Sequence, residues 1–382
     1  MADWSELPAE LIGEILTYLN SPIDILRFRS ICSTWRQSTP LNGGHQFPFS
    51  LPFHGISLFK RSIFQLSPSK TSIVEFLEKT NSWVIKVEEK NPNFFNLFFP
   101  LSWNQIAPLP INFPTVIDLF NIRIREMGHE FFLRYTDEVY CRGDFLNLLM
   151  EKVAFLSGQN GDDFFLLTIH ISGGLALYNN VDNQWHVISD DLDLPYDDVI
   201  AFNGEFYAVD YVGKTVLVGT DTANSVNLVA NSVCGGDQKR LVEMGGELML
   251  VDVYMGLPPW DDDHNIEDLD EYVSSSRSVW FKVYRLDREG KTWVEVKDLG
   301  NNILFVGMTS AFAASAVDFA FHKGNCIYFP FPDKFHPSCL YEGDDIFRFH
   351  CGGVFHMEDS SISYSELFWP PPPWITSSSL EV

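Results

Sequence analysis

From about residue 56 onward the chain is cut into short apolar runs by turn residues, and this punctuation limits its fold more than any other feature. The runs are SWVIKVEE, DFFLLTIHI, GLALYN, QWHVIS, EFYAVDY, TVLVGT, ELMLVDVY, VWFKVYRL, TWVEVKDL, ILFVG, CIYFPF, DIFRFH and VFHME. They are too short for stable helices, rich in β-branched and aromatic residues, and bounded by Gly, Asn and Asp. That pattern predicts antiparallel strands joined by hairpins. Helical patterns are scarce in this part; TSIVEFLEKT at 71–80 is one short candidate, and 90–150 carries few clear signals. With 382 residues, 46% hydrophobic and 33 of them Phe, the chain has material for a small module plus one large sheet-rich domain. Residues 41–55, LNGGHQFPFSLPFHG, are dense in Gly and Pro and read as a linker.

The first forty residues follow a different period. Leu11, Ile12, Ile15, Leu16 and Leu19 recur as on one helical face, with Pro8 placed for the first turn. Ser21 and Pro22 suit the cap and first position of a second helix, with Asp24 three residues after the cap. Ile25, Leu26, Phe28 and Ile31 supply its apolar contacts, and a third short helix carries Cys32, Trp35 and Arg36. A module this small is near the lower limit of independent stability. It also displays more apolar side chains than three short helices cover among themselves. Two explanations stand open: a partner completes the core, or the helices cap the domain that follows.

The series Leu7-Pro8-x-Glu10-Leu11-Ile12-x-Glu14-Ile15-Leu16-x-x-Leu19, then Ile25-Leu26-Arg27-Phe28-Arg29, then Ile31-Cys32-x-x-Trp35-Arg36, resembles an F-box. One departure is a link, Asn20-Ser21-Pro22, a residue longer than the commonest form. The resemblance implies binding to the Skp adaptor of Skp–cullin–F-box ubiquitin ligases, and through it to cullin. It places Leu7, Pro8, Leu11, Ile12, Ile15, Leu16, Leu26, Ile31 and Trp35 in or directly under that interface. Trp35 is the best candidate anchor, since large aromatics often carry interface energy; a role in plugging the module's own core stays open beside it. Arg27, Arg29 and Arg36 form a positive cluster that faces either an acidic partner or solvent.

An internal repeat gives the all-β part a shape. Phe202-Asn203-Gly204-Glu205-Phe206-Tyr207-Ala208-Val209-Asp210 parallels Met244-Gly245-Gly246-Glu247-Leu248-Met249-Leu250-Val251-Asp252, and His322-Lys323-Gly324-Asn325-Cys326-Ile327-Tyr328-Phe329 reads as a third copy. Each reads as a strand, a tight Gly turn and a largely buried strand. Gly204 and Gly246 lie 42 residues apart, near the period of a propeller blade. Trp185 and Trp293, each after a polar turn, are expected in the core. The length suits a β-propeller of roughly six or seven blades. Asp344-Asp345-Ile346-Phe347-Arg348-Phe349, Gly352-Gly353-Val354-Phe355 and the closing Phe368-Trp369-Pro370-Pro371-Pro372-Pro373-Trp374-Ile375 resemble the end of the plant domain-of-unknown-function 295 family. That family commonly joins an N-terminal F-box to a KIB-type, kelch-like propeller. The expected organisation is a three-helix F-box over 1–40, a linker over 41–55, an all-β propeller over 56–375 and a tail over 376–382.

The formal net charge of −25 argues against nucleic acid and anionic membranes as partners, and no stretch approaches the ~18 apolar residues of a membrane span. Asp3, Glu6, Glu10 and Glu14 stand where a secretory signal needs basic and apolar residues. Six Cys without a CxxC suit reduced thiols. No GxSxG, HExxH or phosphate-loop pattern occurs, and His350, Cys351 and His356 sit in a strand–turn–strand where alternation separates His350 from Cys351. We therefore expect no catalytic residue, no metal and no cofactor. The acidic stretch holding Asp261, Asp262, Asp263, Glu267 and Asp268 lacks the Gly and ligand order of a calcium loop and reads as a solvated insertion, with docking of a basic substrate segment as its functional alternative. Asp190, Asp191, Asp193, Asp197 and Asp198 read as a second solvated acidic loop. Trp369 and Trp374 are expected to fasten the chain end against the propeller.

Together these features predict the non-catalytic substrate-recognition subunit of a Skp–cullin–F-box ligase, holding an unknown target protein on the propeller, in the nucleus, the cytoplasm or both. A propeller enzyme or carbohydrate-binding protein with a helical cap is one rival. An F-box scaffold that does not direct degradation is the other.

Overall fold

The computed structural model describes residues 7–19, 22–38, 47–51, 55–69, 82–91, 94–109, 113–114, 117, 122–135, 148–158, 163–188, 194–220, 225–256, 278–319, 323–330 and 352–376. The helical candidate at 71–80, the run at 345–350, and Asp190, Asp191 and Asp193 lie outside them, as does the acidic insertion.

Three helices open the chain: α1 (Ala9–Leu16), α2 (Pro22–Ser30) and α3 (Ser33–Ser38). Their shared core is small. Ile12, Phe28 and Trp35 are buried at its centre, the two rings 4.3 Å apart, with Leu7, Ile15, Leu16, Leu19 and Cys32 around them. Cys32 also starts α3, its sulfur accepting the Trp35 N–H at 3.4 Å and so taking up one of the amides a helix start leaves unpaired.

The β strands form a ring of sheets around a channel. The first sheet runs β4 (Phe94–Phe98), β3 (Trp83–Asn91), β2 (Ile56–Pro68), β5 (Ile122–Tyr135), with the short β1 (Phe49–Leu51) paired to β2. The second runs β6 (Leu148–Ser157), β7 (Phe164–His170), β8 (Leu175–Asn179), β9 (Gln184–Ile188), and joins the first edge to edge where Phe131 pairs with Val153. The third comprises β10 (Tyr196–Phe202), β11 (Glu205–Asp210), β12 (Thr215–Val218) and β13 (Val226–Ala230). The fourth comprises β14 (Gln238–Met244), β15 (Glu247–Gly256), β16 (Ser278–Asp287) and β17 (Thr292–Val296). The fifth orders β18 (Asn302–Val306), β19 (Ala311–Ser315), β20 (Cys326–Pro330), β21 (Gly352–His356) and β22 (Ile362–Ser365) as β19-β18-β20-β21-β22.

Five apolar clusters, one between each neighbouring pair of sheets, make this a closed five-bladed propeller among the described residues. Leu58 and Leu133 meet Leu166 and Tyr178 between blades one and two. Leu167 and Leu177 meet Val199 and Phe206 between two and three, and Tyr207 meets Leu250 and Trp293 between three and four. Val251 and Phe281 meet Leu304 and Phe329 between four and five, and Ile63 and Val84 meet Phe305 and Phe312 where the ring shuts. Sheets buried on both faces explain why so many strands read as unbroken apolar runs.

Among the described residues the blades number five, against the six or seven expected. Gly204 and Gly246 do mark successive blades: Asn203-Gly204 and Gly245-Gly246 are two-residue hairpin turns with all four φ angles positive. The third copy differs, since β20 pairs in parallel with β18 instead of folding back as a hairpin. The linker also needs correcting. Residues 49–51 pair with β2, and Phe47 packs on Phe131 and Phe155, so this part of 41–55 belongs to the propeller.

The chain end completes the ring, as the two Trp of the tail suggest. Trp83 donates its indole N–H to the Phe368 carbonyl at 2.9 Å, and the Val84 N–H reaches the Leu367 carbonyl at 3.0 Å. Trp369 is buried against Phe99 and Ile375, with Trp374 beside it and α4 (Pro373–Thr376) closing the described chain.

The two ends of the channel differ. The inner strands β6, β10, β14 and β19 all run from one end to the other, and β5 runs against them. The far end carries the short turns, among them Asn203-Gly204 and Gly245-Gly246. At the near end β5, β9, β15 and β20 lead into the connections 136–147, 189–195, 257–277 and 331–351. The helical module touches the far end, where Arg27 donates to the carbonyl of Ile122 at 3.0 Å.

Candidate functional site

On α1 each residue turns the helix by about 100°, which sorts its apolar side chains onto two stripes. Ile12, Leu16 and Leu19 fall on one, and Ile12 has no exposed surface. Leu11 and Tyr18 fall on the other, with Ile15 between the two; Leu11 is 46% exposed and Tyr18 75% exposed. Ile31, at the end of α2, is 48% exposed, and Pro8 is exposed at the start of α1. A module with so little core thus leaves three large apolar side chains in water. The outward set is Leu11, Tyr18 and Ile31, flanked by Pro8, with Ile15 between this set and the core.

This placement divides the residues named from sequence. Trp35 is 6% exposed and stacked on Phe28, so it fills the module's core. Ile12 lies in the same core, Leu7, Ile15 and Leu16 are half-buried at its margin, and the Leu26 side chain lies outside what the structure describes. Tyr18 was missed, although its place seven residues after Leu11 puts it on the same stripe. Arg27 is paired with Asp24 at 3.0 Å, and Arg29 and Arg36 bond to each other's backbone carbonyls, so the basic cluster is largely tied up within the module.

The propeller's channel encloses about 480 Å³ and is lined by the inner strands of all five blades. Around its near end sits a belt of buried charge that sequence reading did not find. Arg61 bonds Glu88 at 2.8 Å and Glu130 at 3.4 Å, and lies 4.1 Å from each of the Phe98 and Phe132 ring centres. Lys86 reaches Glu130 at 3.1 Å, Thr309 donates to the same carboxylate at 2.8 Å, and Arg134 covers Glu88 from outside. Lys152 pairs with Asp198 at 2.8 Å, and Lys239 with Asp252 at 2.7 Å, the latter two wholly buried. Burial pushes the Glu130 carboxyl upward, but the Lys86 charge and the Thr309 hydrogen bond outweigh it and hold it below its usual value. It stays ionised and locked between fixed partners. These contacts suit a rivet between blades one and five better than a general acid or base, which needs a proton to exchange near neutral pH. Asp197 and Asp198, read as solvated, instead bond the backbone of β14, at Lys239 N and Leu241 N.

Comparison with known proteins matches both halves. Residues 4–40 fit the F-box-like family model, and residues 54–356 fit the KIB1-4 beta-propeller model. The chain belongs to the F-box proteins with a KIB1-4 β-propeller. Its similarity to F-box protein SKIP23 of Arabidopsis thaliana is 38% identity over 99% of this chain and 96% of that protein. F-box protein At2g17036 of the same plant is 32% identical over the same shares, and putative F-box/kelch-repeat protein At5g24040 is 27% identical over 99% of this chain and all of its own length. A solved Synechocystis apocarotenoid oxygenase aligns over 83% of this chain and 82% of its own at 9% identity and TM-score 0.31, too distant to bear on either fold or activity. F-box proteins of this kind are in general adaptor subunits, and the stripe on α1 is where this F-box has apolar surface to give.

Proposed function

We propose that this F-box protein is the substrate-recognition subunit of a Skp–cullin–F-box ubiquitin ligase. The F-box holds the Skp adaptor, and through it cullin, while the propeller holds a target protein. The observation that carries this reading is the outward set Leu11, Tyr18 and Ile31, because a forty-residue module gains nothing by itself from hydrating them. The F-box touches the propeller at the end with the short turns, so a target held at the opposite end would not compete with that contact. In this role the receptor supplies proximity, raising the effective concentration of target lysines near a ubiquitin donor bound elsewhere. It performs no chemistry itself.

The test is co-purification of the full chain with a plant Skp adaptor beside a Leu11→Ser/Tyr18→Ser/Ile31→Ser variant. These positions are chosen because they leave Ile12, Phe28 and Trp35 in place. A stoichiometric wild-type complex that the variant fails to form supports the assignment. Equal binding by both, or none by either, sinks it. Whether the bound target is then degraded is read from its half-life in cells expressing the chain with and without residues 1–40.

A further inference from the structure

The channel carries polar groups that the belt of charge at its near end does not use. In an antiparallel pair, residues alternate between those that exchange hydrogen bonds with the partner strand and those whose N–H and C=O turn away from it. The two-residue turns fix that phase on the inner strands. Phe202 pairs with Glu205 across Asn203-Gly204, so Ala201 turns its backbone groups away from β11. Met244 pairs with Glu247 across Gly245-Gly246, so Leu241 and Glu243 turn away from β15. On β19 the Gly307 N–H bonds the Ser310 carbonyl at 2.8 Å, so Ala311 and Ala313 turn away from β18. All of these residues line the channel. Asp198 takes up the Leu241 N–H at 2.8 Å. At Ala201, Glu243, Ala311 and Ala313 no such partner occurs among the described residues. Ser310 adds a side chain to this set: it lines the same channel, is 6% exposed, and its hydroxyl has no hydrogen-bond partner among the described residues.

Charge and shape say what such a wall accepts. Its ionic side chains are matched: Lys152 by Asp198, Glu130 by Lys86 and Arg61, and Arg125 by Asp318, while His129 stands 3.5 Å from Glu126. Glu243 is exposed at the far mouth. An ion entering the channel would give up hydration without an uncommitted counter-charge inside, which is costly. Between the strand edges stand Met127, Phe131, Phe155 and Met244, each only partly buried. At about 480 Å³ the channel falls within the range of small-molecule sites, about 300–1,000 Å³, and like them it joins an apolar wall to a few fixed polar groups. Each open edge residue offers a donor and an acceptor side by side. A hydroxyl both donates and accepts, so a ring bearing several hydroxyls meets this wall better than a group that only donates or only accepts.

We propose that the channel is the binding site for a small uncharged glycoside, a hydroxyl-rich ring joined to an apolar group. The open edges of β10, β14 and β19 and the Ser310 hydroxyl bond the ring, and the partly buried Met and Phe side chains receive the apolar group. Neither the F-box nor a protein target enters this site, so it stands or falls apart from the ligase reading.

The probes are phenyl β-D-glucopyranoside and hexyl β-D-glucopyranoside, titrated onto the full chain by calorimetry. Phenyl β-D-glucuronide adds a negative charge to the first probe, and cyclohexyl phenyl ether keeps a similar skeleton without the hydroxyls. The expected result is saturable binding of both glucosides, with the glucuronide and the ether each at least about tenfold weaker. Ala313→Leu, which thickens the channel wall, should weaken glucoside binding at least about tenfold, and Ser310→Ala severalfold. Val181→Ser, in the β8–β9 turn away from the channel, should bind as the wild type does. Each variant is first shown to keep the wild-type melting transition; where Ala313→Leu fails that check, Ser310→Ala decides. Four results would overturn the proposal: no saturable binding of either glucoside, equal binding of the glucuronide, equal binding of the ether, or wild-type affinity in the folded channel variants. Adaptor co-purification from the same preparations reads the ligase assignment separately, since either can fail while the other holds.

Discussion

The F-box and the propeller solve the same problem, burying apolar surface, in opposite ways. The propeller closes on itself, and each blade covers both faces with its neighbours until five clusters form an unbroken ring. It can therefore bury charge as well, as in Lys239–Asp252 with neither side chain exposed. The F-box has one thin core of Ile12, Phe28 and Trp35, and its ion pair Arg27–Asp24 lies at the surface, where such pairs contribute little. What it leaves outside is apolar. A self-sufficient fold spends its apolar surface inward, while a module built for a partner keeps part of it facing out, and this contrast can be attacked from both sides.

The largest effects should come from opening either core. Glu130→Leu strands the wholly buried Lys86 in the seam between the first and last blades and leaves Arg61 with Glu88 alone. Breaking a buried pair from one side costs about 3–5 kcal/mol, and the loss should appear as a lower denaturation midpoint of the whole propeller. Trp35→Ala removes a side chain of comparable worth, about 3–5 kcal/mol, yet the propeller's transition should stay where it is. Protease cleavage should then increase within residues 7–38 alone. If the Trp35 variant lowered the propeller's midpoint, the F-box would be part of one cooperative unit and the contrast would fall.

Acid should act on the same seam. Because the folded-state pKa of Glu130 is depressed, its contribution is complete above the ordinary carboxylate value of about 4.3 and is lost as pH falls through the lower folded value. Stability measured from pH 6 down to pH 2 should decline in the wild type, and less steeply in Glu130→Gln, which has no proton to take up at that site. Parallel curves would mean that other carboxylates govern the acid limb.

The sequence was most legible where one local rule decides the outcome. Hairpin turns at Asn203-Gly204 and Gly245-Gly246 follow from residues that tolerate positive φ. The burial of Trp293, whose indole donates to Gly213 O at 3.1 Å, follows from a Trp placed after a polar turn. Blade number was not legible, because the innermost strand of the first blade, β5, comes last in that blade's chain order and fuses with β6 along one edge. The longest strands, β2 and β5, escaped notice for a related reason. Arg61, Lys86, Glu88 and Glu130 interrupt the apolar runs of β2, β3 and β5 and so look like solvent-facing residues. Only the cross-strand register, with Arg61 opposite both Glu88 and Glu130, shows that they satisfy one another inside. On the F-box, the helical period identified α1 correctly but could not tell which of its two apolar stripes faces in.

A smaller effect tests the turns that distinguish the two propeller ends. Gly204 has φ +77° and open space where a Cβ would go, so Gly204→Ala meets backbone strain alone. About 1–2 kcal/mol is expected from an L-residue held in the left-handed region, against almost none for Asn203→Gly, whose φ of 51° glycine adopts freely. Equal midpoints for the two variants would show that the turn relaxes and does not hold the β10–β11 register.

The smallest effect on folding is the most informative about the F-box. Leu11→Ser/Ile31→Ser removes two apolar side chains that are about half exposed and make no part of the module's core. Surface changes of this kind typically fall within about 0.5 kcal/mol, so the melting curve and the protease pattern of residues 7–38 should match the wild type. The same pair should nonetheless lose adaptor binding, because the hydration these residues suffer when free is relieved only in the complex. A variant that destabilised the module as Trp35→Ala does would place Leu11 and Ile31 in its core and leave the outward stripe without a role. One that kept both stability and adaptor binding would show that the adaptor seats elsewhere, and the comparison between an inward-facing propeller and an outward-facing F-box would have to be redrawn around that surface.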